Sequence, residues 1–161
     1  MAQPGGSFVV LCMDSSVENV INAIKRGARI NEEVDEQDQN GLLMALRARN
    51  YNVAEFLLVH TEIDINKLDA SGCSAISIAV KQCNPKIVKL LMKREDLTTI
   101  NTMNGFGMNP IMEAVYHKCE ACLNLMLANP KVNLDVRDTY QRSQSDIDRY
   151  LFQLNWGYCF A

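Results

Sequence analysis

The sequence lacks the features that would indicate a membrane protein, a secreted precursor or a general nucleic-acid binder. Its apolar runs are short and interrupted, so none is long enough to cross a bilayer. No basic region precedes the first apolar residues, which makes the N-terminus a poor signal peptide. Long runs of lysine and arginine are also absent, and the formal net charge is −3. We therefore expect neither membrane insertion nor direct contact with nucleic acid.

Catalytic motifs are equally scarce. The chain has only two histidines, and it contains no metalloprotease, nucleophile-elbow or phosphate-loop sequence. The stretch "NGFG" at 104–107 has the glycines of a phosphate loop but not its spacing. We predict that the chain is not an enzyme and that it needs no cofactor.

The six cysteines would suffice for a disulfide framework. However, a chain of 161 residues that is 48% apolar is long enough to form a core without covalent cross-links. Its 22% of charged residues is typical of an ordered globular domain. We therefore expect reduced cysteines and an intracellular location, in the cytoplasm or the nucleus.

Three independent series of residues share a period of 34 or 35 positions. The first is an aspartate or asparagine that opens a turn: Asp35, Asp69, Asn104 and Asp138. The second is an apolar residue followed by asparagine or aspartate: Ile30-Asn31, Ile65-Asn66, Ile100-Asn101 and Leu134-Asp135. The third is the last apolar residue of a helical stretch: Ile24, Leu58, Met92 and Leu127. A single period in three series indicates a repeat protein.

Each unit has the pattern of a turn followed by two short helices. The segment "SAISIAV" at 74–80 alternates as a strand would, but the corresponding "NGLLMALRA" and "NPIMEAVYH" favour a helix capped by asparagine or serine. The later segments "NVAEFLL", "PKIVKLLM" and "EACLNLML" have apolar residues at helical spacing, so each is predicted to be the second helix of its unit. In the first unit, Gly27 is placed to end the second helix. Such helix pairs bury their apolar faces only by stacking. The sequence therefore predicts an all-α repeat solenoid of about four units plus a partial C-terminal unit.

The repeat resembles the ankyrin repeat. The signature Asp-x-x-Gly-x-Thr-Pro-Leu-His-x-Ala is similar to "DASGCSAISIA" and to "NGFGMNPIMEA", and "KRGARIN" is similar to the end of the family's unit. The match departs from the family at Asp38 and Gln141, which stand where the turn glycine is expected, and no unit keeps the signature histidine. The predicted array covers 1–149, with units near 1–34, 35–68, 69–103, 104–137 and a partial unit at 138–149.

The resemblance implies a partner protein or peptide, held on the concave side by the turn tips and by the exposed face of each first helix. On this chain the apolar or aromatic positions of that side are Leu68, Met103, Phe106, Met108, Tyr116, His117 and Tyr140. Positive positions that would suit an acidic group or a C-terminal carboxylate are Arg47, Lys81, Arg137 and Arg142. The alternative is that Phe106 and Met108 fold back on neighbouring turns. A small array of this kind would act as an adaptor or as an inhibitor, as inhibitors of Rel-type transcription factors do, and no residue distinguishes these roles.

Two further segments leave alternatives open. His117, Cys119 and Cys122 have the residue types of a metal or redox site, but a structural zinc needs four ligands and no second pair follows. We expect no metal, and a thiol- or metal-dependent enzyme at Cys119 and Cys122 is the remote alternative. The aromatic tail at 150–161 is predicted to be an irregular cap. It is otherwise a segment for partner binding or self-association, or the point where a longer protein was cut.

Overall fold

The computed structural model of the chain describes residues 7–32 and 34–134. Several features predicted above lie outside the described residues. They are the partial unit at 138–149, the tail at 150–161 and the site positions Arg137, Tyr140 and Arg142.

The described residues form eight α-helices arranged as four consecutive pairs. The helices are α1 (Phe8–Asp14), α2 (Val17–Lys25), α3 (Gly41–Arg47), α4 (Tyr51–His60), α5 (Ala75–Lys81), α6 (Pro85–Met92), α7 (Pro110–Tyr116) and α8 (Glu120–Leu127). A short 3₁₀ turn occupies Thr99–Asn101. Within these residues no strand of a sheet occurs, although Leu68 and Ser74 form one isolated antiparallel bridge across a turn. The helical interpretation of "SAISIAV" is therefore confirmed, because α5 covers most of it.

The helix pairs stack in two layers. The first helices of successive units, α1, α3, α5 and α7, pack on one another in that order, and so do the second helices α2, α4, α6 and α8. Each first helix also packs on the second helix of its own unit. The buried apolar residues form one continuous core that runs through all four units. The predicted repeat solenoid is confirmed.

Local capping explains where the helices begin and end. The side chains of Asn40, Ser74 and Asn109 accept hydrogen bonds from the backbone at the starts of α3, α5 and α7. The C-cap of each of these helices is followed by a residue with positive φ, which allows a bond from the next residue back to the final turn. These three residues are Arg49, Cys83 and Lys118. The predicted left-handed cap at Gly27 is also present, with φ of 90°.

The turns that precede the first helices share one geometry. In the turn at Asp69, the side chain accepts from the backbone N–H groups of Ser71 and Cys73 at 2.8 and 2.9 Å. Asn104 accepts in the same way from Phe106 and Met108. The turn at Asp35 keeps this geometry without its glycine, because Asp38 adopts the positive φ, 63°, that Gly72 and Gly107 adopt elsewhere. Aspartate tolerates this conformation better than most residues do.

Hydrogen bonds also join one unit to the next at two levels. At the turn tips, the Ala70 N–H donates to the Gln37 carbonyl, and the Gly105 N–H donates to the Ser71 carbonyl. At the other end of the units, each asparagine of the Ile-Asn series spans the gap to the following unit. Asn66, for example, donates to the Asp96 carbonyl and accepts from the Thr98 N–H. The period seen in the sequence therefore places the same kinds of contact at successive junctions.

The first unit is held to the second by close packing of α1 on α3. A Cβ added at Gly41 would lie 2.8 Å from the Cys12 sulfur and 2.8 Å from the Phe8 ring. The glycine therefore lets the two helices approach. No helix among the described residues is long and apolar enough to cross a membrane.

Candidate protein-binding surface

The turn that opens the fourth unit, together with the residue before it, presents two large apolar side chains to solvent. Asn104 organises this turn through its bonds to the backbone of Phe106 and Met108. Phe106 keeps 65% of its surface exposed and Met103 keeps 39%. Met108 differs, because it is half-buried and packs against the core. The turn therefore directs Met103 and Phe106 outward and Met108 inward.

Tyr116 and His117 lie at the other end of α7. Because an α-helix rises 1.5 Å per residue, they are about 10 Å from the start of this helix. Tyr116 is the last residue of the helix and is 64% exposed, and His117 is its C-cap. The two rings meet edge to face, with their centroids 5.1 Å apart. We call Met103, Phe106, Tyr116 and His117 the unit-four surface.

The two described cations of the predicted site are engaged inside the chain. Arg47 donates a charge-assisted hydrogen bond to Asp69, the aspartate that opens the next turn. Lys81 lies 3.0 Å from Glu113 and 3.2 Å from the Cys73 sulfur. Both pairs link one unit to the next, so each positive charge is already balanced by a carboxylate. Leu68 is half-buried and makes the backbone bridge to Ser74.

Glu113 is a buried charged residue that the sequence pattern did not single out. It is fully buried on α7 and accepts hydrogen bonds from Ser77 and from Asn104, besides its ion pair with Lys81. Burial raises the pKa of Glu113 above its usual value, although these donors and the positive charge act in the opposite direction. Glu113 therefore joins α5, α7 and the turn between them through one set of polar contacts. The sequence did offer a signal for this residue, because Glu113 falls on the face of α7 that packs against α5, where the helix is otherwise apolar.

The structure corrects the expectation that the cysteines are all reduced. Cys83 and Cys119 form a disulfide, with their Cα atoms 5.4 Å apart and a separation of 36 residues. That Cα distance is common for disulfides. The bond arises because Cys83 follows α5 and Cys119 precedes α8, and stacking brings these two loops together. Sequence reasoning overlooked Cys83 because it compared Cys119 with Asn84, the residue that occupies the same register one unit earlier.

Cys122 completes a group of three sulfur atoms. The sulfurs of Cys83, Cys119 and Cys122 all lie within 4.8 Å of one another. Cys122 is fully buried, and burial raises the pKa of its thiol to about 11. No fourth His, Cys, Asp or Glu ligand joins the three sulfurs in the part of the chain that is described, and a structural zinc site needs four. Cys12 and Cys73 are buried.

Stacked helix pairs joined by hydrogen-bonded turns define a helical repeat protein, a class that offers extended surfaces for binding. The family model described as "Ankyrin repeats (3 copies)" matches residues 10–101 and 42–139. The chain belongs to the ankyrin repeat family. Ankyrin repeats are general protein–protein interaction modules, and the family is typically non-enzymatic.

A curated relative comes from the rat, Rattus norvegicus. The chain is 34% identical over 91 residues to the nuclear factor NF-kappa-B p105 subunit of that organism. The match covers 56% of the chain and 9% of the relative. The likeness therefore concerns a small part of a much longer protein.

Proposed function

We propose that the chain is an adaptor or inhibitor that holds a partner protein or peptide on its turn tips and first helices, centred on the unit-four surface. One observation carries the proposal. Every exposed phenylalanine or tyrosine of the described residues, Phe106 and Tyr116, lies in the fourth unit. The other described phenylalanines and tyrosines, Phe8, Tyr51 and Phe56, are buried or half-buried.

Exposed aromatic side chains of this kind favour a binding role on energetic grounds. Burying a Phe side chain in an interface gains about 1.5–3 kcal/mol relative to leaving it in water. Tyrosine is enriched among the residues that dominate binding energy, because one ring supplies both apolar area and a polar group. Phe106 and Tyr116 flank the short helix α7, so a partner segment about 10 Å long would contact both. The partner segment is expected to be mainly apolar, because Arg47 and Lys81 are paired with carboxylates of the chain.

The likeness to the p105 subunit supports a choice of first partner to test. The name of that relative makes it a subunit of nuclear factor NF-kappa-B. We therefore propose purified NF-kappa-B subunits as the first binding partners to be measured. An inhibitor would lower the activity of the subunit that it covers, whereas an adaptor would leave that activity unchanged.

The experiment compares three forms of the full chain in affinity capture, followed by titration with the purified captured protein. Phe106→Ala/Tyr116→Ala removes the two exposed rings. Val59→Ala is the matched control, because Val59 is 59% exposed but lies on α4, a second helix. We expect the double variant to lose roughly tenfold or more in affinity, while Val59→Ala binds as the wild type does.

Thermal unfolding separates binding from stability. Both side chains are mostly in solvent, so the double variant should melt within a few degrees of the wild type. A large drop in melting temperature would show that the rings belong to the core, and unchanged affinity would place the binding surface elsewhere. Mass measurement over a range of concentrations, with the full chain and with residues 1–149, distinguishes partner binding from self-association through the tail.

A further inference from the structure

The three clustered sulfurs differ sharply in their access to solvent. Cys83 is exposed at the end of α5, whereas Cys119 is 1% exposed and Cys122 is fully buried. A dissolved reagent therefore reaches Cys83 before the other two cysteines. Cys119 is placed to react second, since it already lies within bonding distance of Cys83.

We propose that Cys83 and Cys119 form a modification site that reacts reversibly with small-molecule disulfides, and that the resulting cross-link holds the unit-four surface in its binding arrangement. The effect on the unit-four surface rests on the proposed function, whereas the modification site does not.

The oxidation takes place in two exchange steps. The Cys83 thiolate attacks one sulfur of the small disulfide, which forms a mixed disulfide and releases one small thiol. The Cys119 thiolate then attacks the Cys83 sulfur, which breaks the mixed disulfide and releases the second small thiol. Two electrons pass from the two cysteines to the small molecule, and the two protons end on the released thiols. A small dithiol reverses both steps.

The position of Cys119 favours the second step and its reversal. Cys119 is the N-cap of the eight-residue helix α8, and it makes no side-chain capping bond there. Backbone N–H groups at a helix start stabilise a thiolate and so act against the effect of burial at Cys119, which helps Cys119 both as the attacking group and as the leaving group.

Cys122 has a different role, although its sulfur is equally close. Its thiol stays protonated near neutral pH, because burial raises its pKa to about 11. A protonated thiol is a poor nucleophile in disulfide exchange. The cross-link is therefore expected to remain between Cys83 and Cys119 rather than to move to Cys122.

The cross-link acts on the binding surface through a very short stretch of chain. Cys119 is separated from His117 by one residue, Lys118, whose φ of 54° shapes the loop. The disulfide ties this loop to the α5–α6 loop of the preceding unit. Fixing Tyr116 and His117 before binding reduces the ordering cost of association, so the oxidised form should bind its partner roughly tenfold more tightly than the reduced form.

The chemical test needs no partner. The full reduced chain is equilibrated with oxidised and reduced glutathione at a series of ratios, quenched in acid, alkylated and mapped by peptide mass spectrometry. We expect a Cys83–Cys119 cross-link whose fraction rises with the proportion of oxidised glutathione, while Cys12, Cys73 and Cys122 are alkylated as thiols. A parallel series in Cys159→Ala restricts the reaction to the described cysteines.

Three variants test the order of reaction. Cys119→Ala should accumulate the mixed disulfide at Cys83, and Cys83→Ala should leave Cys119 unmodified because it is buried. Cys122→Ala should form the cross-link as the wild type does. The proposal is overturned if no cross-link forms at any ratio, if Cys122 takes part in it, or if the reduced chain instead binds zinc at about one ion per chain.

The effect on binding is measured separately, as the affinities of the oxidised and the reduced wild-type chain for the captured partner protein. Equal affinities of the two forms would remove the link to binding but leave the modification site standing. Failure to capture any partner would count against the proposed function alone.

Discussion

Asn66 Nδ2 lies 2.7 Å from the carbonyl oxygen of Asp96, thirty residues further along the chain. The Oδ1 atom of the same side chain accepts from the Thr98 N–H at 2.9 Å. Asn31 and Asn101 make the corresponding pairs of bonds at the preceding and following junctions. One side chain per unit therefore satisfies a donor and an acceptor of the next unit.

Replacing Asn66 with alanine should weaken the junction between the second and third units. The two short hydrogen bonds to Asp96 and Thr98 are lost together with two longer ones from Thr99. The two short bonds each have a net value of about 0.5–1.5 kcal/mol, so the free energy of unfolding should fall by about 1–3 kcal/mol. Urea denaturation measures the change. Asn22→Ala is the control, because Asn22 is exposed on α2 and no hydrogen bond of its side chain is found in the described part of the chain. An equal loss in both variants would contradict the role of Asn66.

Asp69 should make stability depend on acid pH. Burial acts to raise the pKa of Asp69, but the hydrogen bond from Arg47 and those from the backbone of Cys73 and Ser71 outweigh it, so the pKa falls below its ordinary 3.8. A lowered pKa in the folded state gives stability that is present above pH 3.8 and is lost as the pH falls through the folded value. Urea midpoints measured from pH 6 to pH 2 should show a smaller acid loss in Asp69→Asn than in the wild type.

The same position offers a matched pair of variants at neutral pH. Asn104 organises the next turn with an amide oxygen, so Asp69→Asn should keep the turn and lose mainly the pair with Arg47, at a cost of about 1 kcal/mol. Asp69→Ala also leaves two backbone N–H groups without their acceptor and should cost about 2–4 kcal/mol. Equal losses would show that the turn does not depend on this side chain.

Lys81 should be needed for stability because it balances the buried carboxylate of Glu113. In Lys81→Met the carboxylate stays buried without its positive partner, which should cost about 3–5 kcal/mol at neutral pH. The pKa of Glu113 in the folded state is already raised above the ordinary value of 4.5. Below pH 4.5 the carboxyl group is therefore protonated in both the folded and the unfolded state, and the cost of the substitution should disappear. Denaturation at pH 7 and at pH 4 measures both effects.

A second substitution serves as the control for Lys81. Lys81→Met/Glu113→Gln removes the charge together with its partner and should recover most of the lost stability. If the double variant is no more stable than Lys81→Met, the contact between Lys81 and Glu113 is not the cause.

Gly41→Ala should destabilise the first unit, against the usual preference of helices for alanine. In an exposed helix interior this change gains about 1 kcal/mol. At Gly41, however, the new Cβ would lie 2.8 Å from both the Cys12 sulfur and the Phe8 ring, so α1 must move. We expect a net loss of about 1–3 kcal/mol and faster proteolysis within residues 7–32. A more stable variant with unchanged proteolysis would show that α1 adapts freely.

The repeat period and the turn chemistry could be predicted from the sequence because each is a local pattern repeated several times. Asp69 and Asn104 belong to such a series, and so do the asparagines of the unit junctions. The contacts between non-equivalent positions could not be predicted in this way. Lys81 meets Glu113, and Cys83 meets Cys119, because stacking sets which residues of neighbouring units face each other.

The predicted binding residues show the same distinction. The register placed Phe106 and Tyr116 at exposed positions, and the structure finds both exposed. The register alone could not show that Arg47 and Lys81 are paired with carboxylates of the next unit, because that depends on the directions of long side chains. Their part in partner binding stays a prediction.

The backbone bonds between turn tips make the fourth unit a convenient scaffold for selecting new binders. Because a backbone hydrogen bond from the Gly105 N–H to the Ser71 carbonyl joins the two tips, we expect substitutions at 103 and 106 to leave the array in place. Residues at 103, 106, 116 and 117 could therefore be randomised together in a display library. Gly105 itself must stay fixed, since a Cβ there would lie 2.9 Å from the Ser71 carbonyl oxygen.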